Sequence, residues 1–108
     1  MAKPILDLKT LIERPRIAID GDNFEILSPD ELSVLDHQRF AAWGRRMDAL
    51  MGKDKLTGGE GKELSKLIVD LTDRIMVGVP ADVRDKLSDA QRMEVGEVFT
   101  MLPLLKGL

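Results

Sequence analysis

Histidine and cysteine, two residue types that often serve as metal ligands or in catalysis, are almost absent from this chain, and no residue stands in a catalytic or metal-binding pattern. His37 is the single histidine, and the chain contains no cysteine. His37 therefore has no second imidazole and no thiolate with which to share a metal ion. No motif around the serines marks a nucleophile that His37 could activate. We interpret His37 as a polar surface residue and predict no catalytic residue, no metal site and no cofactor.

Two local patterns look like ligand sites but have simpler explanations. Asp20 and Asp22 flank Gly21 in the stretch "DGDN", and Asp, Gly and Asn are favoured in tight turns. The stretch "GGEG", residues 58–61, lacks the Lys-Ser/Thr pair of a phosphate-binding loop and does not follow an apolar strand. We therefore expect a turn without calcium and a flexible loop at residues 52–61.

A charged pair on the first long predicted helix is a candidate for binding another protein. Asp36 and Arg39 are spaced to form an ion pair, yet both fall within an apolar stripe that includes Trp43. Either the two residues pair at the edge of the core, with the stem of Arg39 packed along it, or they contact a partner. Trp43 belongs to the same candidate surface.

Methionines on the last predicted helix form a second candidate. Met93 and Met101 lie off the main apolar face, which includes Val98. Flexible thioether side chains suit apolar partners of variable shape, although irregular filling of the core explains them equally well.

The length and charge of the chain favour a single domain that acts by binding. A chain of 108 residues has room for one modest core. With 16 Lys and Arg against 19 Asp and Glu, nucleic acid and anionic membrane are not expected as partners. No run approaches the roughly 20 apolar residues that cross a bilayer, and the lack of cysteine suits a reducing compartment. We predict a cytoplasmic protein.

The predicted elements give an α+β fold that is mostly helical, with one N-terminal β-hairpin over about residues 16–27. Apolar residues alternate on both sides of the "DGDN" turn, and a short helix is expected before it, at residues 7–13. Because two strands alone are only marginally stable, either edge of the hairpin could accept a strand from a partner or from a second copy. A homo-oligomer is therefore an open expectation.

Helix-start signals place the remaining elements. Ser28, Pro29 and Glu31 form a capping box with proline at the first helical position, and Ser88 with Gln91 forms another. The predicted helices span about residues 29–51, 60–77, 80–86 and 89–102, and Pro103 is expected to end the last one.

Three stretches carry a resemblance to a known family: "LDLKTLIERPRIAIDGDNFEIL", "SPDELSVLDHQRFAAWGRRMDALM" and "VPADVRDKLSDAQRMEVGEVFTML". In order, length and local sequence they resemble the small tail assembly chaperones of long-tailed bacteriophages and related proteins of prophages and gene-transfer particles. The resemblance implies a non-enzymatic protein that keeps the tape measure protein soluble in the host cytoplasm and delivers it to the tail tube protein. On this reading Met93, Val98, Met101 and the region of Trp43 bind amphipathic helices of the client.

Two other classes of protein remain open. A permanent virion component, such as a head-tail connector or completion protein, would share the size and the tendency to oligomerise. The string Leu87-x-x-x-Gln91-Arg92 is also similar to the start of a helix-turn-helix motif. However, Pro103 stands where a recognition helix is expected, and the local charge is acidic. A DNA-binding regulator is accordingly the weaker alternative.

Overall fold

A computed structural model describes residues 3–6 and 12–106, with side chains described as far as residue 102. Its elements, in chain order, are β1 (Arg16–Ile19), β2 (Asp22–Glu25), a 3-10 helix (Pro29–Glu31), α1 (Val34–Met51), α2 (Gly58–Ile75), α3 (Ala81–Arg84) and α4 (Asp89–Lys106). The predicted fold class, mostly helical with one N-terminal antiparallel hairpin, is confirmed. The helix predicted at residues 7–13 falls largely outside the described residues, and residues 12–15 contain no helix.

The hairpin has the tight turn that its sequence indicates. Ile17 pairs with Phe24 in the antiparallel register. Asp20 and Gly21, at the two central turn positions, have φ angles of 51° and 86°. Two positive φ angles match the twist of a two-residue hairpin, and Asp and Gly tolerate them better than most residues.

The junction after the hairpin differs from the prediction of one helix over residues 29–51. Ser28 and Glu31 form the predicted capping box, but they cap only a 3-10 helix, and Leu32 then returns to extended backbone with ψ 130°. Ser33 caps α1 in turn, through a second box with Asp36. The chain therefore restarts its helix at Val34, because a second set of capping bonds is formed within five residues of the first.

Two other helix ends also differ from the prediction. Thr57 and Glu60 form a capping box whose two bonds are both 3.1 Å long, so α2 begins at Gly58 and the loop shrinks to residues 52–57. The predicted box of Ser88 with Gln91 does start α4, but α4 continues to residue 106, past Pro103. A proline removes only its own amide donor from the helix, and here the backbone continues without it.

The core lies where the end of the hairpin meets the end of α2 and the middle of α4. Its buried members are Ile26, Leu27, Ile75, Met76, Val79 and Phe99. Two backbone bonds attach the hairpin to the end of α2: the amide of Leu27 donates to the carbonyl of Ile75 at 2.8 Å, and the amide of Gly78 donates to the carbonyl of Glu25 at 3.0 Å. A Cβ at position 78 would lie 2.5 Å from that Glu25 oxygen, so the contact requires glycine. Helix α2 is central and packs against both α1 and α4.

Candidate protein-binding site

A groove of about 470 Å³ runs between α1 and α4, with α2 as its floor. Met47 and Met51 line its α1 side, and Met93 and Met101 line its α4 side. These are four of the six methionines in the chain. We call this feature the methionine groove. Unbranched thioether side chains change conformation easily, so such a surface can fit apolar partners of different shape.

The methionine groove has an apolar floor, and each of its two walls contains a glycine. Ile68 and Leu71 of α2 form much of the floor. Gly44 of α1 and Gly96 of α4 lie in the opposite walls. A Cβ at Gly44 would meet nothing within 4 Å, and one at Gly96 would make an ordinary 3.6 Å contact with Leu71. Alanine fits at both positions and favours a helix by about 1 kcal/mol over glycine. The two glycines therefore leave space in the groove that the fold does not need.

The charged residues of the groove give it an acidic rim. Asp48 and Glu97 line it and are exposed. Arg92 also reaches the groove, but it is 3% exposed and its guanidinium is occupied: it donates to the Thr72 hydroxyl at 2.9 Å and to Asp73 at 2.8 Å. The lining charges left to face a ligand are thus negative, which favours a ligand with basic residues beside its apolar face.

Ion pairs attach α1 to α2 at two points outside the lining of the groove. Arg74 of α2 donates to both carboxylate oxygens of Asp36, at 2.9 and 3.3 Å. The hydrogen bond from Arg74, together with that from the Ser33 amide, lowers the pKa of Asp36 below its ordinary value. Farther along, Arg46 donates to Glu63 at 2.7 Å and lowers the pKa of that carboxyl group. These contacts fix the α1 wall relative to the floor.

The structure separates the residues that the sequence suggested as one binding surface. Met93 and Met101 do line one groove. Val98 lies on another flank of α4, beside the hairpin. Trp43 is half-buried and packs edge-on against Phe40, with ring centroids 5.5 Å apart. Of the residues suggested as one binding surface, only Met93 and Met101 therefore line the methionine groove.

The predicted ion pair between Asp36 and Arg39 does not form. Asp36 is 8% exposed; it bonds to the amide of Ser33 and to Arg74. Arg39 is exposed and has no ion pair within the part of the chain that the structure describes. The reason is that Asp36, the third residue of α1, accepts from the amide of the N-cap residue Ser33 and from Arg74 of α2, so its carboxylate does not face the next turn of its own helix.

Four further residues line the site although they were not predicted to do so: Gly44, Met47, Met51 and Gly96. The spacing of the methionines could have indicated them, since methionines four residues apart on α1 and eight apart on α4 lie on one face of each helix. In addition, each helix carries an internal glycine. The string similar to a helix-turn-helix motif also has a structural explanation, because Gln91 caps α4 and Arg92 is buried against α2.

Two other kinds of feature are absent from the described residues. Residues 3–6 and 12–106 contain no group of three or more His, Cys, Asp or Glu side chains that could hold a metal ion. None of the helices in that part of the chain has the length and apolar character needed to span a bilayer. Comparison with family models, with curated proteins and with solved structures finds no match to this chain.

Proposed function

We propose that this protein is a non-enzymatic binding protein that holds an amphipathic helix of another protein in the methionine groove. The observation that supports the proposal is the groove itself: four methionines, two wall glycines and an apolar floor between two helices. A helix bound there presents apolar residues at i, i+3 or i+4 and i+7 to the groove. Lys or Arg residues at the borders of that apolar face meet Asp48 and Glu97.

The client we propose is the tape measure protein of a long-tailed bacteriophage, and the role that of a tail assembly chaperone in the host cytoplasm. The resemblance of the three sequence stretches is the basis for this choice of client. A long helical client offers many similar segments, and a groove of flexible side chains can bind them in turn. Several weakly bound copies along one client act together through avidity, and the tail tube protein displaces them as the tube assembles.

The test is co-expression of this protein with the tape measure protein encoded in the same genome, followed by affinity purification and light scattering. We expect a soluble complex with the wild type. Met51→Asp and Met101→Asp, at residues that are each 51% exposed, place a charge in the groove and should abolish the complex. Gly44→Leu, which fills open space in the groove, should do the same.

The matched control is Leu35→Asp, because Leu35 is 54% exposed but does not line the groove. This variant should retain the client. Circular dichroism and thermal melts establish that each variant is folded. Groove variants that fold normally and still keep the client soluble would contradict the proposal. Detection of this protein in purified particles would instead identify a permanent virion component, such as a head-tail connector.

A further inference from the structure

The two edges of the β-hairpin differ in what covers them. The outer edge of β2 is held by the segment after α2, since the carbonyl of Glu25 accepts from the amide of Gly78 at 3.0 Å. Just beyond β2, the amide of Leu27 bonds to the carbonyl of Ile75 at 2.8 Å. The β2 edge is therefore partly closed by the protein's own backbone.

The outer edge of β1 has no such cover in the described residues. The amide of Ile26 donates to the carbonyl of Pro15 at 2.9 Å, which makes the odd-numbered positions of this strand the ones that bond inward. Hydrogen-bonding direction alternates along an antiparallel strand, so the amides and carbonyls of Arg16 and Ala18 point outward. Within residues 3–6 and 12–106, neither residue's backbone bonds to another backbone group across that edge.

A second groove, of about 290 Å³, lies beside this open edge. Ile17 and Ile19 line its sheet side, and Val95 and Val98 line its α4 side together with the polar residues Gln91 and Glu94. Val98 is 44% exposed. A strand added to β1 would extend the sheet over this β1–α4 groove, and every second side chain of the added strand would point into it. Backbone bonding and apolar burial are thus both available at the same edge.

We propose that the added strand is β1 of a second copy, paired antiparallel across a two-fold axis to make a four-stranded sheet. The charges of the strand support self-pairing. Arg16 is the first residue of β1 and Asp20 is the turn residue that follows its last one; both are exposed, and neither has an ion pair among the described residues. A register that sets Ala18 against Ala18 brings each Arg16 near Asp20 of the other copy, just past the end of the paired strands, where the opposite charges attract. A parallel pairing would bring like charges together.

Two-fold interfaces use the same patch on both subunits, and this edge is self-complementary in that way.

The proposed dimer leaves the methionine groove open. Val95 and Val98 face the hairpin, whereas Met93 and Met101 face α1, so the two surfaces lie on different flanks of α4. The dimer does not depend on the proposed function, and each can fail without the other. If both hold, a dimer presents two client grooves.

The test measures self-association of the full chain by sedimentation velocity over a range of concentrations. Ala18→Pro removes an outward amide, which an edge strand tolerates because that amide has no bond within the hairpin. The control is Asn23→Pro, since Asn23 pairs with Ala18 in the register and its amide points out of the opposite edge. We expect a wild-type dimer, a dissociation constant raised at least about tenfold by Ala18→Pro through the loss of two intermolecular bonds, and little change with Asn23→Pro.

A charge exchange tests the register independently. Arg16→Glu and Asp20→Lys each place like charges together in a homodimer and should weaken it; because position 20 has a φ of 51°, a thermal melt first establishes that Asp20→Lys is folded. Mixing the two variants restores opposite charges at both ends and should restore the dimer. A wild type that is monomeric at all concentrations would overturn the proposal, as would an Ala18→Pro variant that is folded and fully dimeric. A dimer that is lost with Met51→Asp instead would place the interface in the methionine groove and would equally overturn it.

Discussion

The core and the methionine groove are both apolar, but they differ in exposure and in their share of methionine: the core contains one, the buried Met76, and the groove contains four. Ile26, Ile75 and Val79 of the core are at most 3% exposed, whereas Met51 and Met101 of the groove are each 51% exposed. β-Branched side chains have few rotamers and favour one packing arrangement, while methionine has three rotatable bonds and adapts to its neighbours. The difference indicates that the core stabilises a single structure and that the groove is suited to contacts with something outside the monomer.

Truncating one side chain in each region should separate these roles most clearly. Ile75→Ala creates a cavity at a fully buried position and should lower the free energy of unfolding by about 2–5 kcal/mol. Met51→Ala removes a half-exposed side chain and should lower it by about 1 kcal/mol or less. Urea denaturation of both variants measures the two losses. Equal decreases in the free energy of unfolding would mean that Met51 of the groove contributes as much to stability as Ile75 of the core.

The same substitution at two glycines should have opposite effects. Gly78→Ala forces a Cβ against the backbone of Glu25 and should destabilise the protein by about 1–3 kcal/mol. Gly44→Ala places its methyl group in open space within the groove and should stabilise α1 by up to about 1 kcal/mol. Thermal melts of the two variants show whether each substitution lowers or raises the stability of the protein. A destabilising effect of Gly44→Ala would show that the groove is closed in the free protein.

Acid should weaken the attachment of α1, which forms one wall of the groove. The pKa of Asp36 is lowered by hydrogen bonds from Arg74 and from the Ser33 amide. Its contribution to stability is therefore complete above the unfolded carboxyl pKa of about 4 and is lost as the pH falls through that value toward the lower folded pKa. Asp36→Asn should reduce the dependence of stability on pH in this range and leave a smaller dependence from Glu31, Glu60 and Glu63, whose pKa values are also lowered.

The control for the acid experiment is Asp48→Asn, an exposed carboxylate on the same helix that has no ion pair among the described residues. Denaturant midpoints between about pH 3 and pH 7 compare the variants over the carboxyl titration range. If Asp36→Asn keeps the full wild-type pH dependence, the ion pair with Arg74 does not contribute to it.

Much of the fold could be predicted because its signals are local. The Asp20–Gly21 turn and the capping boxes of Ser28 and Ser88 involve residues no more than three positions apart, and the structure contains all three. The errors in helix ends are local too. Ser33 and Thr57 start helices in the same way, but their signals were outweighed by the apolar stripe around Ser33 and by the glycines after Thr57.

The candidate site was predictable only in part. Met93 and Met101 could be identified from their position off the main face of one helix. Their position opposite Met47 and Met51 depends on how α1 and α4 pack against α2. The apolar periodicity of a single helix does not indicate how far that helix lies from another one. The partner of Asp36 was missed for the same reason, because Arg74 is 38 residues away along the chain.

The sequence by itself thus determined the fold class, the hairpin turn and most helix starts, since each rests on hydrogen bonds and side-chain patterns within a few residues. The tertiary structure alone decided which apolar residues became core and which became groove, and which hairpin edge stayed open. Both outcomes follow from contacts between distant segments. Gly78 reaches Glu25 and closes one edge, and α2 separates α1 from α4 by the width that leaves four methionines facing an open groove.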